Sequence, residues 1–350
     1  MLVTPALLYL IKVIILNLQT TAKYSGYFRM FKTIIKKSSE VVQSTSKFLC
    51  VLTSCALLLT LGSNQLDAQD ATAEPGRYRP QGREIASAIG REFGESLYEV
   101  RTYDPQADVE EFSSATIFYP LTLSFAPAFS AVVLVPGYTA TQEAYDWWGP
   151  TLASLGIAVM IIDTNDPRDT FQPRVQAHIA AINFLVAEND NADSPIQGKI
   201  DTNKLGIMGH SLGGGAALAA AEQLGDRIKA VIPLMPYCCE LGESFTGDYS
   251  GLTVPTLIIT SAVDTVAPPE QHAHALYNAI ADSTAKAYLE FNTGTHNLPT
   301  NGGNDLPNVA RFTFAWLKLN LDGNTNFSAH FSGELSGDLA AKISILDTNQ

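Results

Sequence analysis

The chain has 350 residues, 46% hydrophobic and 16% charged, enough apolar material for one large core or two small ones. Its formal net charge of −13 disfavours nucleic acid and anionic membrane surfaces as partners. Beyond residue 68 only Cys238 and Cys239 remain, so no long-range disulfide framework is possible within one chain.

The first 68 residues hold seven Lys or Arg against two acids and read as an export leader rather than a domain. Residues 1–29 form a doubtful extension: the apolar run "LVTPALLYLIKVIILNL" is short and broken by Pro5 and Lys12, which favours a misassigned start upstream of Met30. Residues 30–68 read as a signal peptide. They comprise a basic n-region from Met30 to Lys47, the apolar h-region "FLCVLTSCALLLTLG" and a small-residue cleavage point after Ala68. Cys55 lies inside the h-region, which argues against a lipoprotein. The expected mature chain is secreted, extracellular or periplasmic, with no stable membrane anchor, and is a monomer. Removing the leader takes its formal charge to −18.

Residues 69–80, "QDATAEPGRYRP", have little to bury and are expected to be a flexible lead-in. A single domain is expected over 81–325. From about Thr116 strand-like and helix-like segments alternate: "ATIFYPL", "FSAVVLVPG", helical "EAYDWWGPTLASLG", "IAVMIIDTN", then "RVQAHIAAINFLVAEN" with Val175, Ile179, Ile182 and Leu185 on one face. The strand "KLGIMG", the helix "AALAAAEQL" and the strands "IKAVIPLMP" and "PTLIITSAVD" follow. Helix "EQHAHALYNAIA", strand "AYLEFNTG" and helix "NVARFTFAWLKLNL" close the series. Such alternation predicts an α/β fold with a mostly parallel central sheet, helices on both faces and no large lid domain. Residues 326–350, which contain "FSAHF" and "AAKISILD", are expected to be a tail that either forms a short appendage or is disordered.

Sheets of this kind place chemistry at the carboxyl ends of strands, where Ser211, Asp264 and His296 stand in that order. "GHSLG" fits the G-x-S-x-G turn that lifts a serine above an α/β-hydrolase sheet. Gly209 and Gly213 are expected where side chains would collide with the neighbouring strand and helix. A phosphate loop would want Lys with Ser or Thr after the last glycine, but Ala216 and Ala217 follow. Ser211 needs a base, because its hydroxyl is protonated at neutral pH. Of six histidines, His178 reads as a partly exposed helix residue, His272 and His274 as surface residues, and His330 as part of the tail. His210, adjacent to the serine, points away from it, leaving His296 as base. Asp264 would orient His296, its plain alternative being a helix cap before "PPEQHAHAL"; the competing acid, Asp163, precedes the nucleophile and reads as a loop-stabilising aspartate. The oxyanion donors are expected to be the amides of Leu212 and of Tyr138 in "VPGYTAT". No cofactor is expected, and no His, Cys or carboxylate cluster has metal-ligand spacing.

From Ala131 to Asn326 the chain resembles the bacterial polyesterases, meaning actinomycete-type cutinases and poly(ethylene terephthalate) hydrolases with their Gram-negative relatives. The resemblance rests on "VPGYTATQEAYDWWGPTLASLGIAVMIIDTN", "GHSLGGG", "VPTLIITSAVDTVAP", "GTH" and "FAWLKLNLDGNTNF". It implies a serine carboxylic-ester hydrolase with Ser211, Asp264 and His296 as triad and Tyr138 and Leu212 as oxyanion hole. It also implies a substrate clamp of Tyr138 and Tyr237, with Val266 and His210 lining the cleft. Trp147 and Trp148 are assigned to packing. The chain departs from the family in carrying Tyr237 where a clamp tryptophan is usual, and Leu212 where methionine is usual. The disulfide that many Gram-negative members place beside the triad would join Ser261 and Leu298 and is absent, so a mobile His296 loop is expected. For Cys238 and Cys239, two thiols are expected ahead of a vicinal disulfide. The leading substrates are aliphatic polyesters or short acyl esters, with aromatic polyesters such as poly(ethylene terephthalate) beside them. The alternatives are a small-molecule esterase of the platelet-activating-factor acetylhydrolase type, and a catalytically silent binding protein on the same fold.

Overall fold

The computed structural model describes residues 80–350, except 123–125, Glu240, 333, 334, 336 and Gln350. The N-terminal extension, the signal peptide and the lead-in up to Arg79 therefore lie outside the described residues. A helix α1 (Pro80–Phe93) and a short strand β1 (Val100–Tyr103) come first, followed by β2 (Ser114–Pro120) and β3 (Phe129–Val135). Then come α2 (Trp148–Ser154), β4 (Ile157–Asp163), α3 (Phe171–Asp190), β5 (Ile200–His210) and α4 (Leu212–Leu224). The chain continues through β6 (Ala230–Leu234), β7 (Thr256–Ser261), α5 (Ala273–Ala279), β8 (Lys286–Phe291), α6 (Leu306–Asn320) and β9 (Ile343–Thr348).

The described strands make one sheet in the order β1-β2-β4-β3-β5-β6-β7-β8-β9. Every pair from β4 to β8 is parallel, while β1, β2 and β9 pair antiparallel at the two sides. Strands covered on both faces have no polar side to present, which is why β3 and β7 are buried at every position. The two-residue period divides β3 between two cores. Ala131, Val133 and Val135 pack with α3, α4 and α5, whereas Val132 and Leu134 pack with α1, α2 and α6. This is an α/β-hydrolase sheet, as the alternation of apolar segments predicts.

Two parts of the sheet assembly were not legible as elements. Ile85, Ala86 and Ile89 of α1 are buried against the α2 and α6 side. The expected tail instead returns to the sheet: β9 pairs with β8, with Leu346 opposite Leu289 and Asp347 opposite Tyr288. A six-residue segment with Ile345 exposed carries a weak period, so only the unpaired edge of β8 gives it a conformation. No helix among the described residues is long and apolar enough to cross a membrane.

A tight constraint lies where α4 meets β3 and β5. A Cβ on Gly213 would fall onto the carbonyl groups of Val135 and Pro136, and one on Gly209 onto the carbonyl of Gly213. Backbone atoms cannot yield as a flexible side chain can. Gly213→Ala is expected to destabilise the protein by about 2–3 kcal/mol, measured by urea unfolding. Wild-type stability in that variant would show that the helix end has room to shift.

Candidate active site

Ser211 occupies the single residue between β5 and α4, at φ 56° and ψ −123°. For a non-glycine residue this conformation costs about 1–3 kcal/mol and persists only where its surroundings fix it. They do so from both sides. Its N–H donates to Leu234 O at 3.0 Å, and its carbonyl accepts from Gly215 N at 3.0 Å and Tyr237 N at 2.9 Å. Leu212 follows as the first residue of α4, where an amide has no intrahelical acceptor.

Asp264 and His296 extend from the ends of β7 and β8. Asp264 Oδ1 accepts the amides of Val266 (2.9 Å) and Ala267 (3.0 Å), and Oδ2 lies 2.7 Å from His296 Nδ1. The carboxylate thus closes its own turn and orients the imidazole with its other oxygen; it caps no helix, because the next two begin after Pro268 and His272. A carboxylate only accepts, so Nδ1 carries the proton and the lone pair of a neutral ring sits on Nε2. His296 Nε2 is buried without a partner, and both His296 and Ser211 border one cavity of about 520 Å³. An imidazole lone pair beside a serine hydroxyl can accept its proton. In unliganded sites that contact is often loose and tightens when substrate binds.

The loop after β3 brings Tyr138 to the same cavity. Its neighbours are committed elsewhere: Gly137 N–H donates to Tyr145 Oη at 3.1 Å and Thr139 N–H to Pro167 O at 2.6 Å. The Tyr138 amide has no acceptor among the described residues and, with that of Leu212, is available to a developing oxyanion. Arg174 holds this loop from below. It is buried and donates from its guanidinium to the carbonyls of Pro136 (2.8 Å), Pro167 (2.8 Å) and Asp169 (3.0 Å). Sequence reasoning passed over Arg174; its signal was a cation beside Val175 on an otherwise apolar helical face.

Tyr138, Leu241 and Val266 stand exposed at the cavity mouth, with Tyr237 and His210 also on its walls. Tyr237 Oη accepts from Gly242 N at 2.6 Å, and its ring lies 4.1 Å from that of His272. A larger cleft of about 650 Å³ runs between β2 and the 141–146 turn, and it contains no nucleophile with a base. Asp163 there accepts from Gln142 N at 2.7 Å and Ser114 Oγ at 2.9 Å, the loop-stabilising part expected of it. Among the described residues no group of three metal-ligating side chains is gathered.

Several expectations need correction. The His296 loop, expected to be mobile, is tethered. The indole N–H groups of Trp147 and Trp148 both donate to Pro299 O, at 3.0 and 3.1 Å, and Asn301 N donates to Ala144 O at 2.9 Å. The paired tryptophans are packing residues that also anchor the loop bearing His296. His178 is fully buried rather than partly exposed; its Nε2 lies 2.9 Å from Gly213 O and its Nδ1 has no partner. His272 is buried rather than superficial, with Nδ1 3.0 Å from Cys238 O, whereas His274 is substantially exposed. His330 of the supposed tail packs edge-on against Phe93 at 4.7 Å. Cys238 and Cys239 form a vicinal disulfide rather than two thiols, across a cis peptide bond.

A strained serine at a strand-to-helix turn, a carboxylate-bound histidine and two free amides above one parallel sheet define a hydrolase of the α/β class. Residues 88–348 match the family described as "PETase: PET hydrolase-like", and the chain belongs to it. Over 219 residues, 63% of this chain, it is 37% identical to the "Bis(hydroxyethyl) terephthalate hydrolase" of Streptomyces coelicolor, covering 66% of that protein. It is also 37% identical to "Cutinase 2" of Thermobifida cellulosilytica and to "Cutinase cut1" of Thermobifida fusca, with 62% of this chain matched in each case. Those matches span 77% and 63% of the respective relatives. The family is one of carboxylic ester hydrolases.

Burial without a second partner pushes the pKa of His178 down from 6.5 to about 4. The folded state therefore binds this proton less readily than the unfolded chain. Its stabilising contribution is complete above about pH 6.5 and is lost as pH falls towards 4. His178→Gln, which keeps an N–H for Gly213 O, is expected to lose about 2–3 kcal/mol less than wild type between pH 7.5 and 4.5 in thermal unfolding. Parallel pH profiles would place the acid sensitivity elsewhere.

Proposed function

We propose that the chain is a secreted serine carboxylic-ester hydrolase that cleaves aliphatic polyesters or short acyl esters through an acyl-enzyme, with aromatic polyesters within its range. Ser211 Oγ attacks the ester carbonyl while His296 Nε2 takes its proton. Asp264 holds the imidazole and stabilises the imidazolium. The amides of Tyr138 and Leu212 receive the charge that develops on the carbonyl oxygen. The alcohol leaves with the proton from His296, and water then repeats the sequence on the acyl-enzyme. The observation that carries this reading is the 2.7 Å contact of Asp264 with His296 Nδ1, which leaves an unpartnered Nε2 on a residue that borders the same cavity as Ser211.

Substrate class follows from the cleft. Its mouth is open and carries the exposed apolar groups of Tyr138, Leu241 and Val266, a surface suited to a chain segment of a solid ester more than to a charged solute. Tyr237 faces the same space and offers an aromatic wall to an acyl or aryl group. The names borne by the relatives, cutinase and bis(hydroxyethyl) terephthalate hydrolase, support the same class.

Ser211→Ala is expected to abolish hydrolysis of p-nitrophenyl butyrate and labelling by a fluorophosphonate. Asp264→Asn is expected to lower kcat by about 10⁴-fold. Full activity without Ser211 would overturn this mechanism, and absence of labelling in the wild type would leave the fold as a binding scaffold.

Tyr237→Ala is expected to raise KM for soluble aromatic esters about three- to tenfold and to slow clearing of polycaprolactone films. Wild-type enzyme that hydrolyses soluble esters but clears no film would instead be a small-molecule esterase.

A further inference from the structure

The proposed mechanism does not use two buried polar side chains that lie against it, Tyr145 and His210. Tyr145 is wholly buried and His210 is 4% exposed. Tyr145 Oη lies 3.1 Å from Gly137 N and 2.7 Å from His210 Nδ1. His210 Nε2 lies 2.8 Å from the carbonyl oxygen of His296. The two ends of this series fix its direction. A peptide N–H can only donate, so Gly137 donates to Tyr145 Oη; a carbonyl can only accept, so His210 Nε2 carries a proton and donates to His296. Burial, with His296 beside it, holds His210 well below its ordinary pKa and hence neutral. Its Nδ1 is then a lone pair, and the Tyr145 hydroxyl must donate to it.

We propose that Tyr145 and His210 are positioning residues. Their one-directional hydrogen-bond chain runs from the loop carrying the oxyanion donor, past the nucleophile, to the backbone of His296. The proposal rests on the roles given above to Ser211, His296 and Tyr138. Gly137 immediately precedes Tyr138, so the hydroxyl that receives the Gly137 amide sets the orientation of the next one. His210 immediately precedes Ser211, and its ring lies 4.7 Å from that of His296. The loop approaches so closely that a Cβ on Gly137 would stand 3.0 Å from His210 Nδ1 and 2.9 Å from Ser211 Cβ. Tyr145 is therefore the only side chain on the 142–145 turn with a polar contact to His210 among the described residues. Its removal leaves His210 Nδ1 buried without a donor and Gly137 N–H without an acceptor, so the ring and the loop both lose the contact that fixes their positions. Neither residue offers a free polar group to substrate, because each ring nitrogen and the hydroxyl is already bound; the cleft-lining part of His210 is the face of its ring.

The chain acts on groups that matter in the transition state, so its loss should appear in kcat rather than KM. Tyr145→Phe and His210→Phe are each expected to lower kcat on p-nitrophenyl butyrate about tenfold to a hundredfold, with KM within about twofold. Because the two act as one unit, the double variant should be no slower than the slower single variant. Rates are normalised to the fraction of protein labelled to saturation by a fluorophosphonate, which removes unfolded material from the comparison. If His210→Phe does not fold, His210→Asn replaces it, keeping an acceptor near the Nδ1 position while losing the donor to His296. Single variants with wild-type kcat, or effects that multiply in the double variant, would overturn the relay while wild-type labelling at Ser211 stands. Absence of that labelling would overturn the catalytic reading and the relay together.

Discussion

Ser211 is held in a left-handed backbone conformation between β5 and α4, and the rest of the site is arranged around that requirement. The turn needs a close approach of α4 to the ends of β3 and β5, which Gly209 and Gly213 permit by having no Cβ. It also needs hydrogen bonds on both sides of the serine, and β6 with the following segment supplies them through Leu234 O and Tyr237 N. The same approach makes the first amide of α4 available at the carboxyl edge of the sheet. Strain at one residue thus brings a hydroxyl and an adjacent amide to the wall of one cavity together.

The histidine loop shows a different kind of constraint. It has no disulfide at Ser261 and Leu298, and both positions are buried in the core. Hydrogen bonding takes over the tethering: two indole N–H groups converge on Pro299 O, and the 143–144 backbone accepts from Asn301. The indoles and the accepting carbonyls come from α2 and the turn before it, which also carries Tyr145. The loop after β3, the turn before α2 and the His296 loop are therefore coupled through a few buried polar contacts. A buried contact of this sort is costly to lose, because the partner left behind remains out of water.

Buried charge and proton placement follow from the same geometry. Arg174 is tolerated in the interior because three carbonyls surround its guanidinium, one from the loop after β3 and two from the loop after β4, so it ties the two loops together. His178 and His210 stay neutral because burial disfavours their charged forms. His296 alone among these rings has its Nδ1 against a carboxylate, which is what suits it to carry a transient positive charge.

By itself the sequence determined the alternation of apolar segments, hence the parallel sheet with two helical layers, and the glycines that only a tight strand-to-helix turn requires. It also placed Ser211, Asp264 and His296 at successive strand ends, because covalent order and strand position are local properties. It did not reveal α1 or β9, since an amphipathic helix start and a six-residue edge strand become defined only by what they pack against. Nor did it reveal the anchoring of the His296 loop by Trp147 and Trp148, the cradle around Arg174, or the contacts of Tyr145 and His178. Each of those joins residues far apart in the chain. A tyrosine hydroxyl or an indole N–H looks the same in sequence whether it meets water, a carbonyl or an imidazole. Only the folded arrangement decides which, because the free energy of a buried polar group depends on the partner within about 3 Å and not on its neighbours along the chain.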